Sequence, residues 1–390
     1  MTSETSPAPQ NKRKNDKSRR RERRRETSTA SPQKRPRNDR GTNNKTRSRR
    51  ITPSAIVLCS PESEALADEI RATLGPHAAA KARCSMNIGQ YKDGAPKIRI
   101  DGKQRLSVPD ATVALVCSVT GATLGPLLLA IAHIRQNMRG GKLVLMVRWL
   151  QFSTDDRFEN HSNQFDPHCP TAGTVVGILL EAVGPLGDVV VLDLHNPATR
   201  YSGGRTVHIV SVMPSLLRAA EEEAAAASSR IGHVLAPDAG AANRFREELK
   251  EYLDALAICH KMRDPVTGES RTTFPPGGPP PVGGYAVGFD DIGRSCKTAM
   301  DATDRYRERV ESEHPGKVEG VMWAIVHADF VDGGLELLAK AIKEGRISHA
   351  LFSDSNPQWT QAILDAGMRV VSCAPAFVEY LMPGLVPNDG

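Results

Sequence analysis

The residues of this chain best suited to chemistry lie in Tyr285–Thr298, YAVGFDDIGRSCKT. A short apolar run ends in two adjacent carboxylates, Asp290 and Asp291. A turn of small and polar residues then leads into TAMDATDRYRERV, which has helical spacing. Strand, acidic pair, loop and helix in that order put the loop at the carboxyl end of a parallel strand, the crevice where open α/β sheets bind ligands. Backbone N–H groups opening the next helix favour phosphate. Two carboxylates beside them suit ribose hydroxyls or a hydrated metal.

Other polar residues fall at the ends of apolar runs. His195 closes VVVLDLH, Asp238 sits in the turn of VLAPDAG, His327 and Asp329 lie in VHADF, and Asp354 lies in LFSDS. Parallel strands would bring these ends to one rim, where a neutral His and a carboxylate could meet Mg²⁺, an ion that keeps waters and substrate phosphates. Each could equally cap its strand and satisfy loop backbone. Lys261 and Arg263, one residue apart, stand at the mouth of the Pro- and Gly-rich segment Asp264–Gly284. Alternation puts both on one face of a strand. Two cations on a closing loop can stabilise charge on a transferring polyphosphate, or form an ordinary solvated pair. His161, Asp166, His168 and Cys169 share a polar loop, but their spacing matches no zinc pattern.

The elements that must position these groups alternate in type. SAIVLCS, TVALVCSV, KLVLMVRWL and GDVVVLDLH read as strands. PESEALADEIRATLG, closed by Gly75, LGPLLLAIAHIRQNM and AGTVVGILLEAV read as helices. The second half repeats the pattern: the helix SVMPSLLRAAEEEAAAASSR, the strand IGHVLAPDAG, a helix over ANRFREELKEYL, and a strand DALAICHKMRD with a basic end. The strand GVMWAIVHADF, the helix LELLAKAIKEG, the strand SHALFSDS and the helix PQWTQAILDAG follow. This texture implies an α/β fold with parallel sheets flanked by helices. Residues 51–205 and 206–390 read as two domains behind a tail of residues 1–50.

The tail carries the charge. The 390-residue chain has a formal net charge of +6, but residues 1–50 hold 18 Lys and Arg against 5 Asp and Glu, which leaves a net of −7 for the rest. The tail is too poor in apolar side chains to offset the entropy of ordering, so it reads as disordered. Its run Asn11–Arg25 suits nuclear targeting, with an importin as partner, or a nonspecific nucleic-acid contact, and equally an ordinary solvated tail. The acidic remainder is no nucleic-acid surface. No apolar run is long enough to span a bilayer. Seven cysteines without a CxxC pair suggest reduced thiols in a cytoplasmic protein.

From about Ile51 to Pro375 the chain resembles the ribose-phosphate pyrophosphokinases (PRPP synthetases). VVVLDLHNPATRYSGG is similar to the family's strand ending in Asp-x-His, VLAPDAGAANRFREEL to its Pro-Asp-Ala-Gly turn, and AICHKMRD to its Lys-x-Arg loop entry. GFDDIGRSCKT is similar to its phosphoribosyl-binding loop, and VHADF and SDSNPQ to its later strand ends. YKDGAPKIRI, DDRFE and SDSNPQ are closer to the plant-type, phosphate-independent branch. The resemblance implies two phosphoribosyltransferase-like domains in a homo-oligomer. It also implies Mg²⁺-dependent transfer of the β,γ-diphosphoryl group of ATP to the C1 hydroxyl of ribose 5-phosphate, giving PRPP and AMP for nucleotide biosynthesis.

By position, the resemblance associates His195 and Asp238 with the Mg²⁺–ATP site and Lys261 and Arg263 with the transferring group. Asp290 and Asp291 would hold the ribose hydroxyls, and Ser295, Cys296 and Thr298 the 5-phosphate. Tyr91 and Asp93 would contact adenine and Arg157 the nucleotide. The loop departs from the family pattern: Arg294 stands where an acid is common, Ser295 replaces Thr, and Lys297 replaces a Gly used for close backbone approach. An active synthetase and a catalytically silent regulatory homologue that associates with an active one are both expected from these residues. A phosphoribosyltransferase would use the same loop, but the Lys-x-Arg entry and the two-half layout weigh against it.

Overall fold

The computed structural model describes residues 55–75, 85–102, 106–154, 171–202, 204–263, 270–273, 283–313 and 318–383. The first half runs β1 (Ala55–Cys59), α1 (Glu64–Leu74), a hairpin of β2 (Ser85–Gln90) and β3 (Pro96–Asp101), β4 (Thr112–Val119), α2 (Leu124–Asn137), β5 (Lys142–Leu150), α3 (Thr171–Val183), β6 (Asp188–Leu192), a small ribbon of β7 (Tyr201–Ser202) and β8 (Arg205–Thr206), and β9 (His208–Val210). Its five-stranded sheet is parallel, in the order β1-β4-β5-β6-β9.

The second half runs α4 (Met213–Ala226), β10 (Ile231–Ala236), α5 (Ala239–Arg244), β11 (Leu256–Ile258), β12 (His260–Arg263), β13 (Ser270–Thr273), β14 (Tyr285–Gly293), α6 (Lys297–Glu313), β15 (Gly320–Ala328), α7 (Gly334–Lys343), β16 (His349–Ser353), α8 (Pro357–Asp365), β17 (Arg369–Val371) and α9 (Ala374–Leu381). Its six-stranded sheet is also parallel, in the order β11-β10-β14-β15-β16-β17. The protein is therefore α/β, with parallel sheets flanked by helices.

Alternation along the strands explains how the sheets meet. One face of the first sheet (Val57, Ala114, Val116, Val144, Met146, Val190) and one face of the second (Val234, Val287, Phe289, Met322, Ala324, Val326) belong to a single core, together with side chains of α1, α4 and α9. The outer faces pack separately, the first against α2 and α3, the second against α6, α7 and α8. Strands covered on both sides must be apolar throughout; all nine residues of β15 are buried. α1 illustrates the helical case. Leu66, Ala67, Ile70 and Leu74 fall on its buried face, and Gly75 closes it at φ 52°, a conformation that glycine adopts at little cost.

Two expected elements differ. The helix over ANRFREELKEYL stops at Arg244, and turns and a 3₁₀ segment at Lys250–Ala255 follow. Phe245 and Leu249 are buried in the shared core, and Phe245 meets Phe289 edge-on at a centroid distance of 5.8 Å. Packing these two side chains outweighs continuation of the helix. The basic-ended strand breaks at Cys259. β11 stays in the sheet, whereas β12 leaves it to pair antiparallel with β13. No described helix is long and apolar enough to cross a membrane, and the five described cysteines are buried free thiols.

Candidate functional site

A cavity of about 560 Å³ opens at the carboxyl ends of β6, β10 and β14, lined by His195, Asp238, Arg244, Asp290, Asp291, Ser295, Cys296 and Thr298 among others. That volume suits a small-molecule ligand. The expected strand-end residues thus separate into two groups, because His327, Asp329 and Asp354 do not line it.

Local structure explains each lining residue. β6 ends at Leu192, and Asp193 turns the chain with φ 39°. Its buried carboxylate accepts a hydrogen bond from the Val212 N–H at 2.8 Å, tying the turn to the start of α4. Burial pushes this carboxyl up to about 7 against the hydrogen bonds from Ser211 and Val212 that favour its charge. His195 follows at the cavity wall. Asp238 caps α5, its Oδ1 accepting from the Ala241 N–H at 2.8 Å. A Cβ at Gly240 would lie 3.0 Å from that oxygen, so glycine permits the tight cap.

β14 continues to Gly293, so the acidic pair lies within the strand rather than beyond its end. Period-two alternation sends the two acids to opposite faces. Asp291 continues the series Val287, Phe289 toward the first sheet, and Asp290 turns toward the face covered by α6. Asp291 is 4 % exposed. Its Oδ2 meets His195 Nδ1 at 2.5 Å, and its Oδ1 meets an Arg244 terminal nitrogen at 2.5 Å. Burial would raise its carboxyl, but the His195 hydrogen bond and the Arg244 charge outweigh that and hold it at about 2. Asp290 accepts the Asp291 N–H at 2.9 Å. Burial, then the neighbouring Asp291 charge, push it well above the usual carboxylate range.

The loop Arg294–Cys296 turns from β14 into α6. Gly293 O and Arg294 O accept from the Asp329 and Val331 N–H groups at 3.1 and 3.2 Å. Gly334 supports it from below, where any Cβ would fall 2.0 Å from Arg294 O. Arg294 Nε lies 3.4 Å from Asp329 Oδ2. Cys296 takes φ 54° in a buried position, and burial, then the Asp290 charge, raise its thiol to about 12. Lys297 opens α6 exposed, outside the left-handed region and off the cavity lining. The position where a glycine is expected therefore needs none here. The first-turn N–H groups of α6 have no intrahelical acceptor and adjoin the wall made by Ser295, Cys296 and Thr298.

Two further expected residues lie elsewhere. Tyr91 and Asp93 stand at the turn of the β2–β3 hairpin and do not line the cavity. Tyr91 is 56 % exposed with Lys97 Nζ 5.3 Å above its ring, and Asp93 accepts from the Ala95 N–H. Lys261 and Arg263 are on β12, paired with Thr272 and Ser270 of β13, and β13 runs beside α6. Arg157, His161, Asp166, His168 and Cys169 lie outside the described residues. His327 is buried under Trp149, its Nδ1 2.8 Å from Ser355 Oγ and its Nε2 3.2 Å from Asp193 O; burial lowers it to about 4. Asp354 accepts from the Cys373 N–H and pairs with buried Arg148. These two are structural.

Arg244 was not apparent from the sequence. It ends a six-residue helix inside a stretch that reads as one long amphipathic helix, so its spacing carried no sign of a site.

Among the described residues, no group of three or more His, Cys, Asp or Glu side chains could hold a metal ion. Mg²⁺ does not require such a cage, since it keeps waters and binds through one or two carboxylates and substrate phosphates. Asp238 and Asp290 both offer carboxyl oxygens to the cavity, a donor set that fits a cation of this kind.

No family model matches the chain, and no curated protein matches it. Among solved structures it is similar to the crystal structure of phosphoribosylpyrophosphate synthetase from Mycobacterium smegmatis, with a TM-score of 0.61 and 18 % identity over 84 % of this chain and 97 % of that one. The likeness is one of fold.

Proposed function

We propose that the protein is a ribose-phosphate diphosphokinase, transferring the β,γ-diphosphoryl group of ATP to the C1 hydroxyl of ribose 5-phosphate to give PRPP and AMP. The observation that carries this reading is the convergence of Asp238, Asp290, Asp291, His195 and the Ser295–Thr298 loop on one cavity, in a fold like that of a solved phosphoribosylpyrophosphate synthetase. Residues 51–205 and 206–390 are then two phosphoribosyltransferase-like domains, closer in motif to the plant-type branch, in a cytoplasmic homo-oligomer.

In this reading Ser295, Cys296, Thr298 and the first-turn amides of α6 receive the 5-phosphate, and Asp290 accepts hydrogen bonds from ribose hydroxyls. The C1 oxygen bonds to the β-phosphorus of ATP as the bridge between the α- and β-phosphorus opens, AMP leaves, and the hydroxyl proton passes to solvent. Lys261 and Arg263, on the β12–β13 hairpin, supply cationic charge to the moving group. Tyr91, Asp93 and Arg157 are assigned to the nucleotide. Mg²⁺, held by Asp238 and His195 with waters, would neutralise charge on the polyphosphate. The test is AMP release from ATP and Mg²⁺: it should require ribose 5-phosphate, and folded protein that gives no sugar-dependent AMP rejects the reading.

A second reading, a silent regulatory homologue that associates with an active synthetase, is favoured by one observation. Arg294 occupies the loop position where an acid is common, and it is paired with Asp329. Ribose 5-phosphate binding without turnover, together with co-assembly with an active synthetase, would select it. Removing residues 1–50 should abolish any importin or nucleic-acid contact and leave AMP formation intact.

A further inference from the structure

We infer that Arg244 is a positioning residue: with His195 it occupies both oxygens of Asp291, so that Asp291 orients the His195 ring and Asp290 alone meets the sugar hydroxyls. This rests on the proposed function for the identity of the ligands, and on geometry for the division of labour.

The geometry is specific. Asp291 is nearly inaccessible and its two oxygens are taken, one by each cation-capable neighbour, at 2.5 Å. The partners come from different parts of the fold, His195 from the end of β6 in the first sheet and Arg244 from the end of α5 in the second. With Nδ1 committed to Asp291, Nε2 is the ring nitrogen left for a ligand. A carboxylate behind a ligating histidine fixes its tautomer and its plane. Arg244 in turn fixes the carboxylate, because a guanidinium holds its partner directionally whereas an ammonium does so only as a point charge. Arg244 Nε is buried without a hydrogen-bond partner among the described residues, so the side chain is held by its contact with Asp291 rather than by a fully satisfied pocket of its own. Asp290 accepts the Asp291 N–H and its carboxyl also meets the Asp291 carboxyl, but among the described residues no contact joins it to His195 or Arg244.

The experiment uses the full chain and two titrations. The first follows Mn²⁺ carried by the α,β-methylene analogue of ATP, by electron paramagnetic resonance. The second follows ribose 5-phosphate by calorimetry. Arg244→Gln should weaken the Mn²⁺–nucleotide complex by about 10–100-fold and leave ribose 5-phosphate affinity within about twofold. Asp290→Asn should do the reverse. Because Arg244 acts through His195, the double variant Arg244→Gln/His195→Gln should bind Mn²⁺–nucleotide no worse than His195→Gln alone, within about twofold. Arg244→Lys keeps the charge beside buried Asp291, so it serves if the glutamine variant does not fold; it should show a smaller loss of the same kind.

Additive losses in the double variant, a fall in sugar affinity equal to the fall in Mn²⁺–nucleotide affinity, or a wild-type protein that binds no Mn²⁺–nucleotide would overturn the inference. A wild type with the coupled losses but no sugar-dependent AMP rejects the proposed activity alone. A wild type that makes AMP with additive losses rejects the positioning role alone.

Discussion

Among the described residues, two contacts between ionisable side chains cross from the first sheet to the second at their carboxyl rims, Arg148 with Asp354 and His195 with Asp291, and they differ in what lies beside them. Arg148 is 3 % exposed and is enclosed: it donates to Glu62 O and Asp354 O and lies 3.6 Å from Asp354 Oδ2. His195 and Asp291 border a cavity, with Arg244 behind them and Asp290 beside them. A charge pair at a strand end is therefore not a site in itself. The difference is whether the pair is enclosed, as at Asp354, or borders open space, as at Asp291.

The sharpest way to break this comparison is to remove the closed contact. Arg148→Met should cost about 3 kcal/mol, since it leaves Asp354 without its buried partner, and should shift the urea midpoint without altering the slope. If the Arg148 knot is only structural, ribose 5-phosphate affinity of the folded variant stays within about twofold of wild type. A larger loss would join the two regions into one functional unit.

The two histidines extend the contrast. His327 is enclosed and held to about 4 by burial, so its ring is neutral in the native state and takes a proton only on unfolding. Stability from this group is complete above the unfolded value near 6.5 and is lost as pH falls toward about 4, roughly 3 kcal/mol in all. His327→Gln should therefore gain stability relative to wild type as pH falls through that window, whatever its cost at neutral pH. Asp193 works the other way. Raised to about 7, it favours the folded state at lower pH and loses that advantage as pH rises from about 4 to about 7. Thermal midpoints of wild type and variant between these limits would check both signs.

The sequence made the architecture legible because hydrophobic periodicity reports burial directly. β15 reads as a buried central strand and is one, and α1 shows its core stripe and its glycine stop. Periodicity failed where tertiary packing set the outcome. ANRFREELKEYL keeps a helical pattern because Phe245 and Leu249 must both reach the core, but the chain delivers them without a continuous helix. At the candidate site, residue types pointed to His195, Asp238, Asp290 and Asp291, and these do line one cavity. His327, Asp329 and Asp354 were indistinguishable from them by type and position. Whether a strand-end side chain faces a cavity or a neighbouring loop depends on the other sheet, which no local pattern encodes. Arg244 escaped notice for the same reason.

Asp290 and Asp291 are adjacent in sequence and opposite in circumstance, so exchanging each for asparagine isolates the open half of the comparison. Asp290→Asn should weaken ribose 5-phosphate binding by about tenfold, the upper worth of a hydrogen bond between neutral groups. It should also raise stability at neutral pH, because the wild-type carboxyl is forced well above its usual range by burial and by the Asp291 charge, and an amide carries no charge to be penalised. Asp291→Asn should lower stability, since it leaves Arg244 buried beside a neutral group. Equal stability changes of the same sign in the two variants would remove the distinction between them.

Lys297 gives the smallest expected effect and tests the loop itself. The side chain is exposed at the first position of α6, with φ outside the left-handed region and no place on the cavity lining. Lys297→Gly removes a cation from the positive end of the helix dipole, which relieves about 0.3–1 kcal/mol, and introduces a glycine into the helix at a cost of about the same size. Stability should therefore hardly move. An exposed charge near a bound phosphate is screened and contributes at most about 1 kcal/mol, so ribose 5-phosphate affinity should fall by no more than about fivefold. A gain in affinity would mean that the lysine obstructs the phosphate cradle, and the loop would then belong with the closed region around Arg148 rather than with the open one around Asp290.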